Sequence, residues 1–187
     1  MRALLERMPR MRYSISATTR APREGEQDGR HYTFITKDRF QERLRNGDFL
    51  EWREYAGNLY GTPLSFVEQT LATGDDLIVK PEVNGAVAIK AKYPQAVLVF
   101  LVAPDKDVWH ARLEARRTET TDELAARLAT GRDELTYIRR FDYLLVNEEV
   151  AAGAPMPAVD DLQSIVAAER LRIHHYPETT LRKFEDL

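Results

Sequence analysis

Val97-Leu98-Val99-Phe100-Leu101-Val102-Ala103 is an unbroken apolar run of seven residues. It is far short of the ~20 residues needed to cross a membrane. An apolar run of this length fits a strand covered on both faces, as in a parallel sheet. Leu77 to Val83 is a second run of strand length, and Tyr13–Ser16 and Tyr143–Val146 are shorter candidates. Helix signals fall between them. Thr36 is placed to cap a helix carrying Phe40 and Leu44 on one face, with Gly47 at its stop. Pro63 fits the first turn of another, with Phe66, Val67, Thr70 and Leu71 inward and Gly74 at its end. Asp105 to about Arg116, Thr121 to about Arg139 and Val159–Leu171 complete the helical set. Strands alternating with helices imply an α/β domain with a largely parallel sheet. Val150–Val159 and the tail from 172 to 187 read as loose.

The 187 residues fit one domain, 43% hydrophobic and 30% charged. A formal net charge of −3 argues against nucleic acid as a partner, which requires a basic surface. A small anion needs only a local cluster of arginines. Cysteine is absent, so disulfides, thiolate metal sites and a Cys nucleophile are excluded. No apolar run is long enough for a membrane span and no signal-peptide core begins the sequence, so the expected location is cytoplasmic.

Three clusters carry chemistry. Ser16-Ala17-Thr18-Thr19-Arg20-Ala21-Pro22-Arg23, followed by Gly25, Gly29 and Tyr32, sets two arginines three apart among hydroxyls. Such a loop can grip a phosphate through charge-assisted, bidentate bonds, or be a solvated basic loop. Glu51 to Thr62 reads EWREYAGNLYGT, with Glu51 behind a Phe-Leu pair. Thr62 is equally a plausible helix cap there, and the tyrosines plausible core. Lys80-Pro81-Glu82-Val83-Asn84-Gly85-Ala86 lies at the C-terminal end of a strand candidate, the edge where open α/β sheets hold ligands.

Taken together the clusters point to a guanine nucleotide. Guanine offers adjacent N–H donors at N1 and N2, where adenine offers an acceptor and no N2 amine. A buried carboxylate accepts that pair and leaves adenine unsatisfied, so it discriminates strongly.

The order S-x-T-T-R-x-P-R-x-G-E, G-x-x-Y-x-F, F-L-E-W, G-N-x-Y-G-T, E-V-N-G-A, R-x-T-E-T and F-D-Y-x-x-V-N resembles the guanylate kinases over roughly Leu4 to Leu171. The resemblance implies a P-loop nucleoside-monophosphate-kinase-like three-layer α/β fold over residues 1–187, with a GMP-binding subdomain at 18–74 and a helical lid at 112–127. It implies phosphoryl transfer from ATP to GMP, with Mg²⁺ accompanying ATP, by a monomer or homodimer. Ser16, Arg20, Arg23, Tyr32 and Tyr60 are then expected at the GMP phosphate, and Glu51, Thr62 and Glu82 at the guanine. Arg112, Arg116 and Arg127 mark the lid, Arg116 and Arg127 being the catalytic candidates over the ATP phosphates.

Two departures temper these expectations. Residues 1–187 contain no G-x-x-x-x-G-K-[ST], and Met1–Arg7 read as the end of the helix that follows that loop. The first core strand is expected to be missing, no Mg²⁺ ligand is identified, and the 187 residues alone are expected to be weakly active or inactive. Lys80 stands where the family has an acidic residue, and Pro81 removes a strand N–H. The alternative to a kinase is a catalytically dead module that binds GMP or a phosphorylated peptide through the same pocket.

Overall fold

The computed structural model describes residues 1–55, 57–114, 121–148 and 156–185, with only the backbone at 2, 113, 114 and 121–127. Two compact units emerge, Met1–Leu98 with Thr130–Tyr143, and Val99–Ala129 with Leu144–Leu187.

In the first unit, helix α1 (Arg2–Arg7) leads into strand β1 (Met11–Tyr13), then β2 (Ala17–Thr18) and β3 (Thr33–Phe34). Helix α2 (Lys37–Arg45), strands β4 (Phe49–Tyr55) and β5 (Asn58–Pro63), helix α3 (Leu64–Ala72), strand β6 (Asp76–Ile78) and helix α4 (Val83–Lys92) follow. Strands β1 and β6 pair in parallel. The other four form a mixed sheet in the order β3-β2-β5-β4, with β2–β3 parallel and the β5 pairings antiparallel.

Local chemistry accounts for these elements. The Thr36 hydroxyl accepts from Arg39 N at 3.2 Å and caps α2. Asp38 in its first turn and Arg43 and Arg45 in its last complement the helix dipole. Gly47, at φ +74°, takes the left-handed conformation that ends the helix. Phe40 is fully buried and stacks on Phe49 at 4.4 Å, joined by Ala17 and Leu59. Burying two such phenyl rings stabilises the unit by roughly 1.5–3 kcal/mol each. Gly61 of β5 passes under this pair, where a Cβ would meet the Phe49 ring at 2.7 Å. A second core joins Leu50, Val67 and Ile89, which fastens α3 and α4 against β4.

The hairpin β4–β5 sets the register that matters for function. Glu51 pairs with Thr62, Arg53 with Tyr60 and Tyr55 with Asn58. Along β4, half-buried Glu51, Arg53 and Tyr55 alternate with exposed Trp52 and Glu54, so one polar face is turned inward.

The second unit contains strand β7 (Val99–Val102), helix α5 (Lys106–Glu114), most of helix α6 (Thr121–Leu135), strand β8 (from Tyr143 to Val146), helix α7 (Pro157–Arg170) and helix α8 (Glu178–Glu185). Strands β7 and β8 pair, and Tyr143 N→Leu98 O and Asn147 N→Val102 O advance together, as parallel strands require. Asp142 accepts from Leu98 N and Lys90 Nζ at 2.7 and 2.9 Å, which anchors the start of β8.

The α/β class with parallel pairing is as the sequence implies. Two strands are shorter than expected. The Tyr13–Ser16 candidate is β1 ending at Tyr13, and Ser16 lies in the link to β2. The Leu77–Val83 candidate is β6 ending at Ile78, because Pro81 has no N–H to donate and Glu82 already caps α4. Pro81 therefore costs the sheet nothing. The 172–187 tail contains a 3₁₀ turn at Ile173–His175 and α8. No helix among the described residues is long and apolar enough to cross a membrane.

Candidate functional site

The site is built in the first unit, on β2, β5 and β4 and the approach to α4. Arg20 leaves the end of β2, where Thr18 Oγ1 accepts from its backbone N–H at 3.2 Å. Thr19 Oγ1 accepts from Leu59 N at 2.9 Å. The Thr18 hydroxyl thus braces the start of the loop and the Thr19 hydroxyl ties it to β5. The Arg20 guanidinium donates to Glu26 Oε1 at 2.8 Å and lies 5.4 Å from the Tyr32 ring centroid. Its bonds to Glu26 first, and to Tyr60, raise its pKa above the ordinary arginine value. The same pairing holds Glu26 below the usual carboxylate range, helped by Arg23 N–H donating to its other oxygen at 2.8 Å. Tyr32 meets Tyr60 edge-on at 6.0 Å. Arg20, Tyr32 and Tyr60 therefore converge, with Arg23 exposed at the loop's turn beside them. Half-buried Ser16 lies one residue before β2, and its carbonyl accepts from Thr33 N at 2.9 Å.

Two residues further along β5, on the same face as Tyr60, buried Thr62 donates to Glu51 Oε1 at 2.6 Å. The other oxygen of Glu51 faces α4 at Gly85, where a Cβ would stand 3.0 Å from Oε2 and 3.0 Å from Pro81 Cβ. Glycine here lets the helix approach the carboxylate. Glu82 caps α4 through its backbone alone and makes no side-chain cap bond. Its carboxylate instead pairs with Arg53 of β4. Lys80 is exposed.

Of the eight residues expected at GMP, Arg20, Tyr32 and Tyr60 gather at one end, and Glu51 and Thr62 are bonded at the other, where Glu82 joins them through Arg53. Ser16 and Arg23 border the first. Of the arginines expected in a lid, Arg112 donates to Asn147 O at 2.8 Å within the second unit. Arg116 and the Arg127 side chain lie outside the described residues.

Three charged residues at this site were not singled out from sequence. Glu26 orients Arg20. Arg53 shares the inward face of β4 with Glu51, a relation written in their spacing of two. Glu134, near the end of α6, is half-buried beside Arg53 and titrates above the ordinary glutamate value because of that burial. Nothing local marks Glu134, since it reaches the site only through tertiary packing.

The family model for guanylate kinase matches residues 1–169. The guanylate kinase of Desulfitobacterium hafniense (strain Y51) is 42% identical over 174 residues, covering 93% of this chain and 84% of that protein. That of Lactococcus lactis subsp. lactis (strain IL1403) is 40% identical over 175 residues, covering 94% and 83%. The crystal structure of guanylate kinase from Anaplasma phagocytophilum matches with a TM-score of 0.73 at 28% identity, over 92% of this chain and 81% of that one. Motif order, fold and relatives agree, and the chain belongs to the guanylate kinase family.

Proposed function

We propose that the cleft floored by β4 and β5 is the acceptor site of an ATP:GMP phosphotransferase, the activity of the family. One observation supports this reading: a single face of β5 presents both Tyr60 and Thr62, each beside one of the two residue groups. Tyr60 meets Tyr32 edge-on at 6.0 Å, with the Arg20 guanidinium over Tyr32, and Thr62, roughly 7 Å along the strand, bonds to Glu51 at 2.6 Å. A cationic, phenol-lined end suits a phosphate, and a carboxylate end suits the N1 and N2 donors of guanine.

In the reaction an oxygen of the GMP phosphate attacks the γ-phosphorus of ATP. A new P–O bond forms, the β–γ bridging bond breaks, and ADP leaves with the electron pair. Arg20 and Arg23 offset the acceptor's charge and fix its attacking oxygen, which is the larger part of catalysis in phosphoryl transfer. Tyr32 and Tyr60 add hydroxyl donors. Glu51, Thr62 and Glu82 anchor the base and so set the distance at which the phosphate lies. Ser16 borders the phosphate end, and Arg116 and Arg127 are the family's candidates for the donor phosphates. No group of three metal-binding side chains gathers among the described residues. Mg²⁺ accompanies ATP in such kinases, and no step here is derived through it.

Calorimetric titration of the chain with GMP, AMP and guanosine tests the reading. GMP should bind more tightly than AMP by about tenfold or more for each charge-assisted bond that guanine makes and adenine cannot. Guanosine should lack the arginine contribution. Equal affinity for GMP and AMP would overturn the base assignment, and equal affinity for GMP and guanosine the phosphate assignment.

A further inference from the structure

The proposed base-reading end contains more negative charge than two hydrogen-bond acceptors require. Glu51 on β4, Glu82 at the start of α4 and Glu134 on α6 all act on one point, and that point is the Arg53 guanidinium. Arg53 is half-buried on the inward face of β4, directly opposite Tyr60 in the ladder. Its guanidinium lies 5.7 Å from the Tyr60 ring centroid and 5.5 Å from that of Tyr55. The groups facing it are therefore Glu51, Tyr55, Tyr60, Glu82 and Glu134.

We infer that Arg53 is a positioning and specificity-determining residue of the acceptor site, holding the Glu82 carboxylate where it accepts from guanine. The inference rests on the reading of Glu82 given above. The Glu82 carbonyl accepts from Ala86 N, but its side chain makes no cap bond to α4, so the helix end does not fix its carboxylate. Arg53 holds it from the neighbouring strand. An arginine uses part of a carboxylate's four lone-pair sites and leaves the others free for a ligand. It also permits several carboxylates to share a small volume in their ionised form. Without it, mutual repulsion favours a proton on one of them, and a protonated carboxyl offers a donor where guanine needs an acceptor. The same guanidinium lies against Tyr60, which meets Tyr32 beside Arg20, so it stands between the two ends of the site.

A double-mutant cycle on the full chain tests this, with GMP and AMP affinities read by calorimetry and melting temperature read alongside. Arg53→Met and Glu82→Gln should each weaken GMP about tenfold, the value of one charge-assisted bond, and leave AMP nearly unchanged. The double variant should bind little worse than either alone, because both changes remove one arrangement. Arg53→Lys should recover part of the affinity, which also separates an effect on Glu82 from misfolding. Losses that multiply to about a hundredfold would show that Arg53 acts apart from Glu82. Full GMP affinity in Arg53→Met with a loss in Glu82→Gln would refute the inference and spare the reading of Glu82. Full affinity in both would sink the two together.

Discussion

Thr62 donates its hydroxyl to Glu51 Oε1 at 2.6 Å, and the two are direct cross-strand partners of β4 and β5. The bond fixes which way the carboxylate faces and leaves its second oxygen toward α4. Thr62→Val keeps the β-branched shape in a fully buried position and removes only the donor. GMP affinity should fall by about tenfold, as for one hydrogen bond to a charged group, and preference over AMP should narrow. Titration of the variant with both nucleotides measures it, and an unchanged ratio would show that Glu51 needs no such orientation.

Gly85→Ala tests the other side of the same carboxylate. The added Cβ would meet Glu51 Oε2 and Pro81 Cβ at 3.0 Å each. Alanine gains about 1 kcal/mol of helix propensity over glycine, while crowding costs about 1–3 kcal/mol. The two nearly offset, so melting temperature should shift little. Glu51 is the flexible partner and should yield, and GMP affinity should drop several-fold. A large loss of stability with normal GMP binding would show instead that Pro81 yields.

How far the site was legible in the sequence depends on how local each relation is. The cap at Thr36 and the stop at Gly47 are decided within a turn and read directly. Glu51 and Arg53 alternate with Trp52 and Glu54, so their shared face is a matter of strand period. The end of β6 is harder, since an apolar run reads on through Val83 while Pro81 and the cap at Glu82 cut it at Ile78. The hydroxyls of Thr18 and Thr19 stand in the motif without a role that spacing alone assigns, and the structure shows them accepting from Arg20 N and Leu59 N. Glu134 carries no local signal at all, because 81 positions separate it from Arg53 and only the packing of α6 brings them together.

Glu26 gives the first pH prediction. Its carboxyl is held below the ordinary value of 4.5, chiefly by Arg20. A carboxyl lowered in the folded state contributes stability that is present above 4.5 and lost as pH falls through the folded value. Glu26→Gln should therefore be less stable than the parent at pH 7 and approach it in acid. Melting temperatures between pH 3 and 7 check this. Arg20, released from Glu26, should also bind GMP with altered affinity, and a variant indistinguishable at every pH would remove Glu26 from the site.

Glu134 predicts the opposite slope. Burial raises its carboxyl above 4.5, and the Arg53 charge only partly opposes that. A carboxyl raised in the folded state has the same proton bound folded and unfolded below 4.5. As pH rises through the folded value, the unfolded chain releases that proton more readily, so stability is lost. Glu134→Gln, which cannot ionise, should match the parent near pH 4 and exceed it in melting temperature at pH 7. Arg53→Met should steepen the parent's decline between those values, because the burial cost then stands unopposed. A Glu134→Gln variant that melts below the parent at pH 7 would show that attraction to Arg53 outweighs burial, and Glu134 would then count as a second carboxylate that Arg53 holds in place.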